Sequence, residues 1–333
     1  MNSPILSIII PSYNTSKYVD ECLPTFIDER LFGKVIIYLI DDGATDDTEE
    51  KIKPYVEKYP QLFQFIHKEN GGHGSVINYG VHKLVKTKYF KVIDGDDWVN
   101  TDALVKLVDY LFTTDDDAVV SSYQCVYPNK RINTKATDNS GLIANTSYDI
   151  SFINNFNITI HSIIFKTSIF IDNNIILPEK VFYEDNLYRL YPFLYVKTIS
   201  FIDEPVYCYR LGNPNQSISI ESSRKHLNDS YVVRNAGYSF YADNISKVSK
   251  ELAIYFSRVL AHGLLLYKNL ILLNPVSKKL QFELKRLYKE DKKYPLIIKS
   301  LKEMKSCKIL FLFHFSLFSI SFVKHYFCKK MIV

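Results

Sequence analysis

The chain has 333 residues, of which 47% are hydrophobic, so it is long and apolar enough for one large domain or two smaller ones. Its five cysteines form no CxxC pair, which excludes the usual zinc and dithiol redox motifs and suits a reducing cytosol. The net charge of +5 is uneven: residues 1–223 carry 20 Lys and Arg against 29 Asp and Glu, and residues 224–333 carry 21 against 7. The basic C-terminal third predicts an anionic partner; no nucleic-acid-binding motif accompanies it, so we expect no nucleic acid.

Apolar runs of strand length alternate with segments of helical spacing through the first 125 residues. The runs are 6–10, 35–40, 62–66, 89–93 and 118–125, and further strands are predicted at 197–202 and 206–210. Short links between alternating strands and helices predict a parallel sheet covered on both faces, a Rossmann-like α/β layer. The first run has no basic segment before it and ends at Pro11. We therefore expect a first strand rather than a signal peptide, and a cytoplasmic location.

Three carboxylates follow the fourth strand within four residues, at Asp94, Asp96 and Asp97. They lie at the carboxyl end of a strand, the edge where open α/β sheets bind ligands. Carboxylates this close repel each other, and a hard divalent cation among them relieves the repulsion. The stretch predicts either a Mg²⁺ or Mn²⁺ site facing a phosphate, or a solvated acidic turn in which Asp97 or Asn100 caps the next helix.

The C-terminal third has a helical pattern, which divides the chain into residues 1–220 and a basic helical region, 221–333. This region ends in an apolar, Phe-rich segment, predicted as one helix over about 306–329. Its most apolar part would extend about 22 Å at ~1.5 Å per residue, which is too short to span a bilayer. Flanking lysines favour contact with an anionic membrane surface, and docking on the protein or on a second copy in a homodimer is the alternative.

Five short motifs occur in an order and spacing that is far more specific than any one of them. They are Ser7–Asn14 (SIIIPSYN), Ile40–Asp46 (IDDGATD), Glu69–Gly72 (ENGG), Asp94–Asp97 (DGDD) and Glu184–Asp185 (ED). Over residues 1–190 this pattern resembles the GT-A glycosyltransferases of family 2, which invert and use nucleotide sugars. Within that family the chain is similar to bacterial enzymes that build capsular, exopolysaccharide or teichoic-acid-type polymers. The resemblance implies a GT-A fold, α/β and mainly parallel, with a helical C-terminal extension.

The resemblance also implies a site for the nucleotide base. Pro11 and Tyr13 would hold the base, with the Tyr13 ring stacked on uracil. Asp42 would accept the uracil N3–H, a proton that cytidine lacks. Asp41 is the neighbouring alternative for that role.

Further donor contacts follow from the same resemblance. Asn70 and Gly72 belong to a glycine-rich loop that would approach the donor closely, and Arg210 would pair with its diphosphate. His73, in the same loop, either touches the donor or only fills the loop. His226 would complete the metal shell, as a His does in some relatives.

The acidic residues match the family's metal and catalytic positions. Asp94 and Asp96 match the DxD motif, which implies that Asp96 binds Mn²⁺ or Mg²⁺ and that Asp94 contacts the donor and assists the metal. Asp97 would be structural. Asp185 matches the catalytic base that takes the proton of the acceptor hydroxyl, and Glu184 would orient the site.

The function that the resemblance implies is an inverting, metal-dependent transfer of a hexose from a UDP-sugar to a lipid-linked or polymeric glycan. The enzyme would act at the inner face of the cell membrane. The QxxRW motif of processive synthases is absent, so we expect one sugar, or few, per encounter. The alternatives are a catalytically degenerate subunit that binds glycan or a partner, and a sugar-1-phosphate nucleotidyltransferase, which the loop after the first strand does not favour.

Overall fold

A computed structural model describes residues 3–139, 141–212, 220–263 and 266–331. The chain falls into two compact units. Unit 1 consists of Met1–Lys180 and Tyr191–Asn213, and unit 2 of Val181–Leu190 and Pro214–Val333. The short segment 181–190, which carries the ED motif, therefore belongs to the same unit as the C-terminal region.

Unit 1 is built around one mixed sheet. Its strands are β1 (Leu6–Ser12), β2 (Val35–Asp41), β3 (Phe63–His67), β4 (Tyr89–Val92), β5 (Trp98–Val99), β6 (Ala118–Tyr127), β7 (Lys130–Thr134), β8 (Tyr148–Asp149), β9 (Ile163–Lys166) and β10 (Thr198–Arg210). Their order is β3-β2-β1-β4-β9-β6-β10-β5, with β7 paired to β6 and β8 to β10. The pairs among β1 to β4 and the β6–β10 pair are parallel, and β9 is antiparallel to both β4 and β6. The predicted Rossmann-like, mainly parallel layer is confirmed.

The apolar runs of the sequence form the centre of this sheet. Leu6 and the three isoleucines 8–10 of β1 are each at most 1% exposed, because the strand is covered on both faces. Lys91 of β4 is also fully buried, and its ammonium donates to the carbonyls of His161 at 2.7 Å and Ile163 at 3.4 Å. Burial lowers the pKa of Lys91 to about 7.

The two strands predicted near residue 200 are one strand, β10, of 13 residues. It is paired to β6 along its length, and register shifts on either side of Pro205 absorb an irregularity. β10 also pairs with the short β5. Because side chains alternate along a strand, Tyr207 and Tyr209 lie on one face of β10 and Arg210 on the other.

Short helices connect the strands of unit 1. They are α1 (Val19–Cys22), α2 (Thr48–Lys58), α3 (His73–Tyr79), α4 (Thr101–Leu111) and α5 (Thr167–Ile171). Asn100 caps α4, since its Oδ1 accepts the N–H of Ala103 at 3.1 Å. The carboxylate of Asp97 is used elsewhere, so the cap is Asn100.

Unit 2 is helical in its described residues. Its helices are α6 (Asp185–Tyr188), α7 (Ile220–Lys225), α8 (Leu227–Asn244), α9 (Lys250–Gly263), α10 (Leu266–Leu273), α11 (Lys278–Asp291), α12 (Pro295–Glu303), α13 (Lys305–Leu312) and α14 (Leu317–Met331). A buried ion pair between Arg234 and Asp291 joins α8 to α11. Tyr238 and Tyr267 donate to the same carboxylate, which supplies the hydrogen bonds that a buried charge requires.

Among the described residues, one segment, Lys250–Leu273, has the length and composition of a membrane-crossing helix. About 71% of its most apolar window is buried inside the protein. A helix in a protein core has the same properties, so the segment is weak support for a membrane span.

The prediction of one tail helix over about 306–329 is wrong, because the segment forms two helices, α13 and α14. The chain turns between them at His314 and Phe315, whose φ values are 47° and 55°. The N–H of Phe315 donates to Leu310 O at 2.8 Å and closes α13. Ser316 caps α14, since its Oγ accepts the N–H three residues on at 3.2 Å.

Candidate active site

The carboxylate of Asp42, just after β2, is buried and held by the glycine-rich loop. Its Oδ1 accepts the ammonium of Lys68 at 2.6 Å and the N–H of Gly71 at 2.9 Å, and its Oδ2 accepts the N–H of Gly72 at 2.7 Å. A carboxylate offers about four lone-pair positions. These three described donors leave one lone-pair position, and the acceptance of a uracil N3–H by Asp42 remains a prediction.

Asp41 is tied into the same turn by different donors. Its Oδ1 accepts the N–H of Ala44 at 2.8 Å, and its Oδ2 lies 2.7 Å from His67 Nδ1. With Glu49, these acid and imidazole groups have ligand atoms within 4.8 Å of one another. Both Asp41 oxygens thus already have a partner from the protein.

The glycine-rich loop adopts a conformation that depends on its glycines. Gly72 has φ +82°, a region that side chains disfavour. A Cβ on Gly71 would overlap the hydroxyl of Ser75. Asn70 Nδ2 donates to the Asp42 carbonyl at 2.8 Å, so the loop is fastened to the end of β2 through side chain and backbone.

The end of β1 approaches the acidic turn after β4 very closely. The N–H of Gly95 donates to Pro11 O at 3.2 Å, and a Cβ at Gly95 would lie 2.7 Å from that oxygen. Only glycine fits there without a shift. Tyr13 is 51% exposed, which leaves its ring available for stacking.

Asp94 and Asp97 converge on one hydroxyl, that of Tyr207. The phenol oxygen lies 3.1 Å from Asp94 Oδ2 and 2.6 Å from Asp97 Oδ2. A hydroxyl carries a single proton, so it can donate to only one of the two carboxylates at a time. Asp94 Oδ1 lies 3.0 Å from His73 Nε2, so the His whose role the sequence left open contacts the acidic turn.

The three carboxylates of the turn perturb one another. Burial and the charge of Asp94 raise the pKa of Asp96 to about 6. Burial and the charges of Asp96 and Asp94 also raise the pKa of Asp97. Burial acts in the same direction on Asp94, but the hydrogen bond and charge of His73 outweigh it and hold the pKa of Asp94 at about 2. The turn carries more negative charge than its surroundings neutralise, and a cation would relieve that excess.

His161 is a member of this cluster that the sequence did not single out. Its ring stacks on Tyr209 at 4.1 Å between centroids and meets Tyr207 edge-on at 4.8 Å. Asp94, Asp97 and His161 have ligand atoms within 4.8 Å of one another. His161 lies in a largely apolar run that gave no signal of its own, and alternating tyrosines in the strand β10 were the signal for Tyr207.

Arg210 lies beside the turn and is engaged by the protein. Its Nε donates to Asp96 O at 2.7 Å, and its Nη2 pairs with Glu21 at 2.8 Å. The guanidinium lies 4.8 Å from the ring centre of Tyr18 and 4.6 Å from that of Trp98. Any phosphate bound by Arg210 would compete with Glu21 for the same guanidinium.

Asp185 and His226 lie in unit 2. Asp185 is the first residue of α6, and the buried Glu184 is the N-cap residue of that helix. His226 stacks on Phe182 at 3.5 Å between centroids, and its Nδ1 lies 2.9 Å from Asp229 Oδ2. The predicted roles of Asp185 as a base and of His226 as a metal ligand remain predictions.

Comparison with protein-family models shows which family this arrangement belongs to. The model of glycosyl transferase family 2 matches residues 7–182, more than half of the chain. The chain belongs to glycosyltransferase family 2. It is a glycosyltransferase, as the motif order implied.

Curated relatives of this family 2 chain are themselves glycosyltransferases by name. EpsJ of Bacillus subtilis, an uncharacterized glycosyltransferase, is 24% identical over 77% of this chain and 75% of its own length. The MG025 homolog of Mycoplasma pneumoniae, also uncharacterized, is 30% identical over 38% of this chain. The match spans only 42% of that relative. Chondroitin synthase of Escherichia coli is 33% identical over 38% of this chain and 17% of its own length.

Solved structures confirm the GT-A fold of this family 2 chain. TarS of S. aureus (residues 1–349), in complex with UDP-GlcNAc, has a TM-score of 0.61 at 17% identity and covers 98% of this chain and 92% of its own. The mannosyltransferase PcManGT from Pyrobaculum calidifontis, with GDP-Man and Mn²⁺, has a TM-score of 0.51 at 13% identity and covers 97% and 88%. At these identities the likeness concerns the fold.

Enzymes with this fold commonly use a divalent metal ion, and the acidic turn fits one. Its carboxylate oxygens and the imidazole of His161 are donors that Mn²⁺ accepts, and oxygen donors suit Mg²⁺. The sequence predicted Asp94 and Asp96 as ligands. The structure groups Asp94 with Asp97 and His161, and Asp96 is not a member of that group.

Proposed function

We propose that this glycosyltransferase moves a hexose from a UDP-sugar, with inversion, to a lipid-linked or polymeric glycan in cell-surface polysaccharide synthesis. We propose further that the reaction depends on Mn²⁺ or Mg²⁺. The observation that carries the proposal is the crowding of Asp94, Asp96 and Asp97 at the end of β4, beside the glycine-rich loop held by Asp42. The complex of TarS with UDP-GlcNAc supports a UDP-sugar as the donor class.

The donor would lie along the carboxyl edge of β1, β2 and β4. Tyr13 would stack on the uracil beside Pro11, and the remaining lone pair of Asp42 would accept the N3–H. Asn70 and Gly72 shape the backbone that faces the donor. This arrangement would select uracil over cytosine, because uracil carries a proton on N3 that Asp42 can accept and cytosine does not.

The acidic turn would hold the metal ion through Asp94 and Asp96, with Asp97 and His161 as additional donors. When bound, the ion supplies neutralisation of the charge on the departing UDP. The protein's own part is to fix the carboxylates: Tyr207 orients Asp94 and Asp97, and the close contact at Gly95 sets the turn against β1.

Asp185 would act as the base. Inversion needs a single displacement in which an acceptor hydroxyl attacks the anomeric carbon from the face opposite UDP. The hydroxyl proton passes to the Asp185 carboxylate, and no protein nucleophile is required.

The decisive test replaces this base. In Asp185→Asn we expect turnover, measured as UDP release from a panel of UDP-sugars, to fall about 10²- to 10⁴-fold, with UDP-sugar affinity largely kept. Asp172→Asn, an exposed aspartate, is the matched control and should retain turnover. Undiminished turnover in Asp185→Asn would remove the base assignment. UDP binding without transfer to any membrane extract would favour the degenerate subunit.

The C-terminal helices would attach the enzyme to the inner face of the membrane. Large apolar side chains are exposed at the turn between α13 and α14 and along α14, at Leu312 (68%), Phe318 (72%) and Phe322 (51%). Basic residues outnumber acidic ones by 14 in residues 224–333. An apolar surface among cations fits an anionic bilayer.

Vesicle flotation tests this attachment. Wild-type protein should float with vesicles of anionic phospholipid and not with neutral ones, and salt should weaken the binding. Phe318→Ser with Phe322→Ser should lower the bound fraction severalfold, whereas Ile143→Ser, an exposed apolar residue of unit 1, should not. Equal flotation of the double variant, or a dimer that dissociates only in that variant, would overturn the membrane assignment.

A further inference from the structure

Unit 1 contains an open cavity of about 850 Å³ next to the acidic turn. Its walls include Tyr18, Trp98 of β5, and the hairpin that joins β6 to β7. Arg210 forms part of the wall and also donates to Asp96 O, so the cavity borders the turn. The residues assigned above to the base of the donor are not among its described lining residues, whereas Arg210, which the sequence assigned to the donor diphosphate, is one of them.

The cavity is lined by an excess of cations. Lys17, Lys130, Arg131 and Arg210 line it against one carboxylate, that of Glu21, and Glu21 is paired with Arg210. No described carboxylate lies within ion-pair distance of the other three cations. Unit 1 as a whole is acidic, with 19 Lys and Arg against 26 Asp and Glu. A positive cavity in an acidic unit creates a local potential that attracts anions.

Aromatic rings hold several of these cations in place. The Lys17 ammonium lies 4.7 Å from the ring centre of Tyr18, and that of Lys130 lies 4.8 Å from Tyr127. Such cation–π contacts favour these side-chain positions without neutralising the charge. Lys17 and Lys130 are therefore oriented over aromatic faces, and neither forms an ion pair with a carboxylate in the part of the chain that the structure describes.

We propose that this cavity binds the acceptor and that the acceptor is an anionic polymer, with either phosphodiester or uronate groups. The proposal rests on the proposed transferase function and specifies its second substrate. A neutral glycan would leave Lys17, Lys130 and Arg131 without partners, whereas a chain with regularly spaced anions would pair with several of them. The volume of about 850 Å³ is within the range of clefts that bind drug-sized ligands.

Trp98 gives a direct readout, because it is the only tryptophan of the chain and forms part of the cavity wall. The full-length protein would be titrated with oligo(glycerol phosphate), with oligogalacturonate and with neutral maltohexaose while tryptophan fluorescence is followed. We expect a saturable change with at least one anionic oligomer and none with maltohexaose. The anionic oligomer that binds more tightly identifies the chemical source of the charge.

Matched variants locate the binding. The double variant Lys130→Gln with Arg131→Gln should bind the anionic oligomer with an affinity at least about tenfold lower than wild type. Lys86→Gln with Lys135→Gln removes the same charge from two exposed positions outside the cavity and should bind as wild type. Equal binding by both double variants would overturn the proposal.

A competition experiment separates this site from the donor site. Saturating UDP with Mn²⁺ should not displace the anionic oligomer; displacement would mean that the oligomer occupies the position of the donor diphosphate and would overturn the acceptor assignment. Binding equal to that of maltohexaose would overturn it as well. Because fluorescence needs no transfer, failure of the proposed reaction in Asp185→Asn and failure of this proposal are distinguishable.

Discussion

Two acidic turns lie at the carboxyl edge of the sheet, one on each side of the central strand β1, and their carboxylates have different hydrogen-bond partners. After β2, Asp42 accepts three hydrogen bonds from Lys68, Gly71 and Gly72. After β4, Asp94 and Asp97 share one tyrosine hydroxyl. The first turn is neutralised by the protein, and the second is left with excess negative charge.

The difference teaches that paired carboxylates at a strand end do not by themselves mark a metal site. Each turn contributes to a cluster of two carboxylates and one imidazole whose ligand atoms lie within 4.8 Å of one another. The clusters are Asp41, Glu49 and His67, and Asp94, Asp97 and His161. In the turn after β4, burial and the charge of Asp94 raise the pKa of Asp96 to about 6. In the first turn the Asp42 carboxylate holds the glycine-rich loop, and the second turn is the one that we propose as the metal site.

The largest effect is expected when the buried carboxylate of the turn after β2 is removed. Asp42→Ala leaves the Lys68 ammonium and two backbone N–H groups without their buried acceptor, so we expect the free energy of unfolding to fall by about 3–5 kcal/mol. Urea denaturation measures it. Asp47→Ala, an exposed aspartate five residues on, should stay close to wild type, and an equal loss in both variants would contradict the contrast.

Removing a charge from the second turn should affect activity instead. Asp96→Asn lowers the negative charge that attracts the ion, so we expect about a 100-fold loss of turnover, or about 2.7 kcal/mol, with stability unchanged or improved. UDP release at increasing Mn²⁺ concentrations measures it, together with UDP affinity at each concentration. An unchanged metal-dependent UDP affinity would remove the metal role of Asp96.

A smaller effect is expected at the contact between the turn after β4 and the end of β1. In Gly95→Ala the new Cβ would lie 2.7 Å from Pro11 O, so the turn must shift, and we expect about 1–3 kcal/mol of destabilisation with a parallel loss of activity. Thermal unfolding measures the first. Gly141→Ala, where the nearest atom is the end of an exposed side chain, is the control. A variant that keeps full activity would show that the position of the turn is not critical.

The smallest expected effect is the stabilisation of the folded protein by Mn²⁺, which tests which of the two turns binds the ion. Mn²⁺ at ten times its dissociation constant should stabilise the wild type by about 1.4 kcal/mol, seen as a rise in melting temperature. That rise should persist in Glu49→Gln and disappear in Asp94→Asn. The reverse pattern would transfer the metal site to the turn after β2.

Much of this arrangement follows from local sequence. Continuous apolar runs predicted β1 to β4, and parallel strands bring the ends of those runs to one edge of the sheet. The loops with Asp42, Gly72 and Asp96 were therefore expected to meet there. Order and spacing then identified the family.

The remainder depends on contacts that no local pattern encodes. Tyr207 lies 113 residues beyond Asp94, and its hydroxyl could have faced either side of a strand before the pairing of β10 was known. His161 lies in a largely apolar run that also contains Thr159 and Ser162, so no local pattern distinguished it. The break before α14 depends on positive φ values at His314 and Phe315 and on the cap at Ser316, and the apolar pattern of the segment encodes neither.

The continuous strand β10 has an evolutionary consequence. Tyr207 on one face contacts the acidic turn, and Arg210, three residues on, contacts that turn and lines the cavity beside it. Inserting or deleting one residue between them would exchange the faces of every side chain that follows. Among homologues this stretch should keep its length, so alignment gaps should be missing between these two positions.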